Sequence, residues 1–286
     1  MSGTINVKES HGKAITGAYL LKWVSPDQWR EEIRFANYTR IRVGGKDQYW
    51  QSRTTDYEIE PVLELDQALG FLKEFHVRSN ASGLPAMKSI KFHEAEKHGH
   101  KLDCVTLVPS EDYYSTSGDY CFDAAGGWFV SQTRDSLQLS NFIPFGGEYF
   151  PGSVHTNQES AARVDLQLNS ITPLGKMDGA DFRPPANASA WPACDDPDAL
   201  PKLKSEIPPH YPDNEKYEHV SGTVFIYATM GIDGQLHNLK VLSAPDTGLA
   251  NAALTAVEQW QYTPEMCHGA PVPVETLIHI IFDLGS

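Results

Sequence analysis

Three histidines are grouped in a stretch whose residue types could bind a metal ion. His93, His98 and His100 lie in the sequence HEAEKHGH. Zinc motifs of the HExxH type place two histidines on one face of a helix. His93 and His98 are five residues apart, so a helix would separate them, and Gly99 with its strand-like flanks favours a hairpin turn. We therefore predict a solvent-exposed turn without a metal.

The cysteines are the second candidate for chemistry. Cys104, Cys121, Cys194 and Cys267 show no CxxC or Cys/His spacing typical of zinc sites. An even number fits disulfide bonds and an oxidising compartment, with four buried thiols as the alternative. A hairpin centred near Asp112 would place Cys104 beside Cys121, and a Pro-rich segment could bring Cys194 back towards Cys267. These arguments predict the pairs Cys104–Cys121 and Cys194–Cys267.

Motifs of enzymes and nucleotide-binding proteins are missing from the sequence. It contains no GxSxG, P-loop or GxGxxG pattern, and the cysteines in DCVTL and YCFD have no nearby histidine that the sequence could pair with a reactive thiol. The formal net charge is -14 and no basic stripe occurs, which excludes a nucleic-acid partner. We predict a non-enzymatic protein without a cofactor.

The sequence pattern of the N-terminal part, residues 1–183, is typical of an antiparallel sheet. Apolar residues alternate with charged ones in WREEIRF and TRIRV, which is the pattern of strands with one solvent-exposed face. One helix interrupts the strands in EPVLELDQALGFLKEF, where Val62, Leu65, Leu69 and Leu72 share a face. The pattern predicts a large, curved, unclosed sheet around a helix.

Residues 184–205 are predicted to be a linker. Seven prolines occur between Pro184 and Pro209, which favours a stiff, extended connector over a packed element.

Residues 206–286 predict a second, small α+β domain. Val224, Ile226, Ala228 and Met230 alternate with polar and aromatic residues, and Asp233-Gly234 is a hairpin signal. A helix follows, capped by Asp246 or Thr247. The last strand is predicted from Val272 to Phe282. The order strand, strand, helix, strand makes one small core.

These C-terminal motifs resemble the C-terminal domain of the TonB energy-transducer family. The resemblance is carried by PPHYP, SGTVFIYATMGIDG, LSAP and AALTAVEQWQYTP with their spacing. It implies a periplasmic domain whose last strand accepts a segment of a TonB-dependent outer-membrane receptor, or of another strand-donating protein, as an added strand. The implied binding edge comprises Val272, Val274, Glu275, Thr276, Leu277, Ile278, His279, Ile280 and Phe282. Tyr211 and Pro212 would anchor the entering chain against the sheet.

The N-terminal motifs YLLKWVSPDQWREEI and GGKDQYWQSR are similar to lipoprotein carriers of the LolA and LolB type. The resemblance implies an unclosed barrel over a helix with an apolar hollow. Residues that would line this pocket are Trp23, Trp29, Trp50, Val62, Leu65 and Leu69. Filling of the core by the tryptophans is the alternative.

Two functions remain open at this point. One is a cell-envelope interaction protein, possessing a TonB-like domain that binds a strand-forming partner or a second copy of the chain. The other is a periplasmic carrier of a lipid or lipoprotein. The N-terminus shows no signal-peptide pattern, so we expect either a cytosolic protein or a sequence lacking its leader or anchor. The resemblance favours the periplasm.

Overall fold

The chain forms two compact units, which are described separately. The computed structural model describes residues 1–8, 13–45, 47–77, 87–97, 100–109, 118–132, 137–146, 148–156, 162–176, 178–194 and 201–284. The first unit comprises Met1–Lys22, Ile33–Ala36 and Glu64–Lys176, and the second comprises Trp23–Glu32, Asn37–Leu63 and Met177–Ser286. Within the described ranges, no helix combines the length and apolar character needed to span a bilayer.

The elements before Asp178 are mostly strands. In chain order they are β1 (Ser2–Lys8), β2 (Ala14–Ser25), β3 (Gln28–Phe35), β4 (Tyr38–Gly44), β5 (Gln48–Arg53), α1 (Glu60–Val77), β6 (Met87–Lys97), β7 (His100–Pro109), β8 (Gly118–Asp123), β9 (Phe129–Gln132), β10 (Leu137–Ser140), β11 (Ile143–Phe145), β12 (Glu148–Phe150), β13 (Ser153–Thr156) and β14 (Arg163–Ser170).

The remaining elements include two helices and a 3₁₀ turn at Gly179–Phe182. They are β15 (Ser189–Pro192), β16 (Lys202–Ser205), α2 (Asp213–Tyr217), β17 (Gly222–Met230), β18 (Leu236–Ser243), α3 (Thr247–Val257), β19 (Gln261–Thr263), β20 (Glu265–Cys267), β21 (Ala270–Val272) and β22 (Val274–Phe282).

The first unit contains a large antiparallel sheet. Its strands follow one another in the order β2, β1, β14, β13, β10, β9, β8, β7 and β6. Alternate residues of β1, among them Ile5 and Val7, are buried and pair with the equally buried Leu166 and Val164 of β14. The two-residue period of the sequence therefore places one face of these strands in the core.

The sheet is not closed into a barrel. β6 pairs with β7, in a register that begins at Lys97 and His100, and no second strand pairs with β6 among the described residues. His93 is exposed on β6, whereas residues 98–99 of the predicted turn lie outside the described part of the chain. The observed class confirms the predicted large unclosed antiparallel sheet.

Helix α1 buries the predicted apolar stripe at its beginning. Val62 and Leu65 are fully buried and Leu69 is half-buried, while the side chain of Leu72 lies outside the described residues. Glu60 in the first turn favours the helix because a carboxylate there faces the positive end of the helix dipole.

Both predicted disulfides are present. Cys104 of β7 and Cys121 of β8 stand directly opposite each other in the strand register and are bonded. Cys194 is bonded to Cys267 of β20, over a sequence separation of 73 residues. The first bond links neighbouring strands, whereas the second joins distant parts of the second unit.

Parts of the Pro-rich segment are packed as strands among the described residues. Ser189–Pro192 forms β15 and pairs antiparallel with β5, and Lys202–Ser205 forms β16 and pairs with β19. Pro192 is the last residue of its strand, where the missing N–H costs no central ladder bond. The segment is therefore not a free connector within the described residues.

The C-terminal elements form a three-stranded sheet, in the order β18, β17, β22, with α3 against one face. The side chain of Asp246 accepts a hydrogen bond from the Gly248 N–H at 2.5 Å, so Asp246 rather than Thr247 is the helix cap. This arrangement confirms the predicted β-β-α-β order. Residues of the shared core include Val224, Ile226, Ala228, Leu249, Ala253, Val257, Ile278 and Ile280.

The turn between β17 and β18 requires glycine at Gly234. Its φ is +76°, and a Cβ there would lie 2.0 Å from the carbonyl oxygen of Tyr262. Both conditions exclude other residues. The Asp233-Gly234 signal thus marks the turn that returns β18 antiparallel to β17.

Candidate functional site

Strand β22 lies at the edge of the C-terminal sheet. It pairs with β17 from Gly222↔Phe282 to Met230↔Val274, over nine residue pairs. No other strand pairs with β22 among the described residues. In an antiparallel pair, alternate residues direct their N–H and C=O groups away from the partner. One series of β22 residues therefore presents unpaired backbone groups along this edge.

Val272, predicted to begin this strand, lies elsewhere. It ends β21 and pairs with Glu265 of β20. Pro273 separates the two strands, and its missing N–H together with its fixed φ explains the break. The ladder with β17 begins only at Val274.

The two faces of β22 have different surroundings. Ile278, Ile280 and Phe282 point into the core beneath α3. On the other face, Ile281 is 73% exposed, whereas Leu277 is buried. The exposed isoleucine is therefore at the Phe282 end of the strand.

Glu275, at the other end of β22, is held by a group of polar side chains from β4, β5 and β17. Arg53 Nη1 donates to Glu275 Oε1 at 2.5 Å, and the Tyr227 hydroxyl donates to the same oxygen at 2.5 Å. Gln51 Nε2 donates to Glu275 Oε2 at 3.2 Å, and Arg42 Nη2 lies 3.9 Å from it. This carboxylate therefore fixes one face of β22 to the segment 42–53.

A second buried carboxylate continues the same network. Arg40 Nη1 donates to Glu58 Oε2 at 3.1 Å, and Arg53 Nη1 lies 3.7 Å from that oxygen. The Tyr38 hydroxyl donates to Glu58 Oε1, and Arg40 Nη2 donates to Glu31 at 2.9 Å. Arg40 is 1% exposed and Glu58 is 0% exposed. These charges satisfy one another, since a buried charge without a partner is costly.

The protonation behaviour follows from burial and from the neighbouring charges. Burial alone would raise the pKa of Glu275, but Arg53 and the Tyr227 hydroxyl outweigh it, so the pKa is lowered. Burial, with the charge of Glu275, raises the pKa of Tyr227 to about 12. Burial lowers the pKa of Arg53, but the charge of Glu275 outweighs this effect and the pKa is raised. The carboxylate and guanidinium are thus charged at neutral pH, and Tyr227 is a hydrogen-bond donor.

This network was not predicted from the sequence. The alternation in TRIRV predicts a solvent-exposed face for Arg40 and Arg42, which is wrong for Arg40 because two glutamates pair with it in the interior. The β4–β5 hairpin offers one indication of the network. Its register places Arg40 directly opposite Arg53, and two like charges in this position destabilise the sheet unless carboxylates neutralise them.

His279, in the middle of β22, is half-buried and packs edge-on against Phe225, with ring centroids 4.8 Å apart. Its Nε2 atom is buried and has no hydrogen-bond partner among the described residues. Burial lowers the pKa of His279, since the cation would lose its hydration. The ring is therefore neutral at pH 7.

We expect His279 to make the stability of the C-terminal sheet sensitive to mild acid. Its folded pKa lies below the unfolded value, so the unfolded state binds the proton more readily. Stability should fall as the pH drops below about 6.5 and towards the folded pKa. Amide hydrogen exchange of β17 and β22 between pH 7.5 and 5 measures this dependence. His279→Leu should flatten it and the exposed control His210→Leu should not; an unchanged profile in His279→Leu would refute the assignment.

Tyr211 and Pro212 lie where the chain enters the C-terminal sheet. The Tyr211 hydroxyl donates to the Val220 carbonyl at 2.5 Å, and its ring packs edge-on against Phe282, 5.2 Å between centroids. Pro212 is the residue before α2 and has extended backbone angles. These contacts support the anchoring role that we propose for the pair.

The residues of the predicted apolar pocket lie in several places. Trp23 is 54% exposed on β2, and Trp29 packs over Gly44, where a Cβ would lie 2.0 Å from its indole nitrogen. Trp50 packs over Gly45 in the same manner. The hollow itself stays a prediction.

A polar cavity of about 240 Å³ is found in the second unit. Its lining consists of Gln51, Ser52, Arg53, Thr55, Asp56, Asn187, Ser189 and Trp191. Across the described residues, no three His, Cys, Asp or Glu side chains are grouped as metal ligands.

Comparison with protein families identifies the C-terminal segment. Residues 207–284 match the family described as the Gram-negative bacterial TonB protein C-terminal. This match confirms the resemblance carried by the motifs of the segment. No curated protein sequence matches the chain.

Two solved structures are similar to the chain at low sequence identity. A crystal structure described as an outer membrane lipoprotein-sorting protein domain from Vibrio parahaemolyticus shares 10% identity with a TM-score of 0.34, covering 63% of this chain and 87% of that chain. A LolA superfamily protein from Nitrosomonas europaea shares 8% identity with a TM-score of 0.30, covering 64% and 88%.

Proposed function

We propose that this protein is a non-enzymatic protein of the cell envelope whose TonB C-terminal domain binds a partner protein by strand addition to β22. The observation that carries the proposal is the position of β22, which pairs with β17 on one side only within the described residues. Long apolar edges of this kind are normally protected by charges, prolines or covering elements. The partner's backbone would fill the unpaired groups.

The rest of the domain suits this role. Glu275 and its partners hold one face of β22, and α3 holds the other, so the edge is rigid before the partner arrives. A rigid strand loses little conformational entropy when a second strand pairs with it. We propose the periplasm as the location and a TonB-dependent outer-membrane receptor as one class of partner, both from the family of the C-terminal domain.

Proline substitution along β22 tests the binding mode. Leu277→Pro and Ile278→Pro remove N–H groups that point to opposite sides of the strand, and Ile280→Pro repeats the parity of Ile278→Pro. We expect one parity to abolish binding of a capped seven-residue peptide of alternating threonine and valine while the domain stays folded. The other parity removes a bond to β17, leaves a β17 carbonyl without its donor, and should destabilise the domain by about 1 to 3 kcal/mol.

Circular dichroism reports folding in this series, and fluorescence anisotropy of the labelled peptide reports binding. A peptide with N-methyl groups on alternate residues is the control, because it cannot complete the ladder. Unfolding by both parities would mean that β22 is an internal strand, and the proposed mode would be wrong.

A further inference from the structure

The TonB C-terminal domain is strongly acidic. From residue 206 onward the sequence has ten Asp and Glu, two Lys and no Arg, a formal charge of -8. Of these acids, Glu275 is neutralised by Arg53 from outside the domain. The domain therefore attracts cations and repels a second copy of itself at low ionic strength.

Part of this negative charge lies near the Phe282 end of β22. Tyr211 contacts the Phe282 ring, and its hydroxyl donates to the Val220 carbonyl. Asp213 follows Tyr211 by two residues, Glu218 precedes Val220 by two, and both are exposed. Lys216 lies over the Tyr211 ring at 5.8 Å and offsets one of these charges. Asp283, directly after the strand, is a third exposed acid there.

The same end of the strand carries an exposed aliphatic side chain. Ile281 is 73% exposed and lies opposite Thr223 on β17, in the last two pairs of the ladder. A strand added beside β22 would place a side chain next to Ile281 on the same face. Contact with an apolar side chain would remove this surface from water.

We propose that the segment which adds to β22 is cationic, with lysine or arginine at the end that lies beside Phe282 and an aliphatic side chain next to Ile281. This inference rests on the proposed strand addition and names the chemistry of the partner. A second copy of the chain fits less well, because self-pairing would bring two acidic domains edge to edge.

Peptide binding to the full chain tests the inference. The probes are three capped peptides of alternating threonine and valine, each extended at both ends by two lysines, two glutamines or two glutamates. At about 20 mM salt we expect the lysine peptide to bind about tenfold more tightly than the glutamine peptide, and the glutamate peptide to bind more weakly than both. The differences should largely vanish at about 0.5 M salt.

Variants locate the charge effect. Asp213→Asn and Glu218→Gln should each reduce the lysine preference, whereas Asp233→Asn, in the β17–β18 turn at the opposite end of the sheet, should leave it unchanged. An equal reduction in all three variants would overturn the proposed placement. Ile281→Thr should weaken all three peptides by a similar factor, and unchanged affinities would overturn the aliphatic contact.

The outcomes separate this inference from the proposed function. Equal binding of all three peptides, with loss on alternate N-methylation, would leave strand addition standing and overturn the cationic partner. Binding by none of the peptides would overturn both.

Discussion

Arg53→Met is expected to lower the free energy of unfolding of the second unit by about 3 kcal/mol. The change removes the cation that lies 2.5 Å from Glu275 and 3.7 Å from Glu58, and both carboxylates are buried. Methionine retains much of the apolar volume of the arginine stem, so the loss is mainly electrostatic. Amide hydrogen exchange of β17, the central strand of the C-terminal sheet, measures the change.

A double variant separates the buried charge from the contact. Arg53→Met/Glu275→Gln removes both members of the pair, and we expect it to recover most of the lost stability, since no charge remains unpaired at Glu275. Arg183→Met, just before β15 in the same unit, is the matched control, because Arg183 is exposed. If Arg53→Met cost no more than this control, the network would be a solvent-screened surface pair and our description of it would be wrong.

The pH dependence gives this prediction a second readout. In the wild-type protein the lowered pKa of Glu275 stabilises the fold above the ordinary value of 4.5, and this stabilisation is lost as the pH falls through the folded pKa. Without Arg53 the largest opposition to burial is gone, so we expect the carboxylate to take up a proton more readily, which relieves the unpaired charge. The deficit of Arg53→Met should therefore be smaller at pH 5 than at pH 8.

The C-terminal elements could be predicted because their signals are local. The hairpin between β17 and β18 depends on Gly234, the helix begins at its Asp246 cap, and the alternation of β22 places Ile278 and Ile280 in the core. Each signal spans a few residues and agrees with its neighbours, which is what specifies a fold.

The buried polar network could not be predicted in the same way. Arg53 and Glu275 are 222 residues apart in sequence, and no local pattern brings them together. The alternation of residues in β4 predicts that Arg40 is solvent-exposed. Its burial is possible because Arg40 pairs with Glu58 and Glu31. The prediction that the last strand begins at Val272 was wrong for a local reason, because Pro273 interrupts the ladder. Long-range charge pairs and single backbone breaks are the parts that periodicity does not reveal.

The two disulfides are expected to stabilise the protein by different amounts. In the chain-entropy description, the cost of losing a bond grows with the length of the loop that it closes. Cys104 and Cys121 are separated by 17 residues and Cys194 and Cys267 by 73. Replacing each pair by alanine should cost about 3 kcal/mol for the first and about 4 kcal/mol for the second.

Removal of each disulfide should also destabilise particular strands and leave others unchanged. Cys194–Cys267 connects the end of the Pro-rich segment to β20, so its removal should increase amide exchange in β15, β20 and β21 and leave β7 and β8 unchanged. The Cys104→Ala/Cys121→Ala variant should show the reverse pattern. Because both residues of this pair are buried, alanine also removes packing. The control that keeps the sulfur atoms in place is the Cys194→Ala/Cys267→Ala variant, compared before and after reduction, since Cys104–Cys121 is then the one disulfide left. Equal exchange patterns in the two variants would contradict the assignment of each bond to its own unit. A larger loss of stability on removing Cys104–Cys121, with its separation of 17 residues, would show that packing rather than loop closure governs the stabilisation.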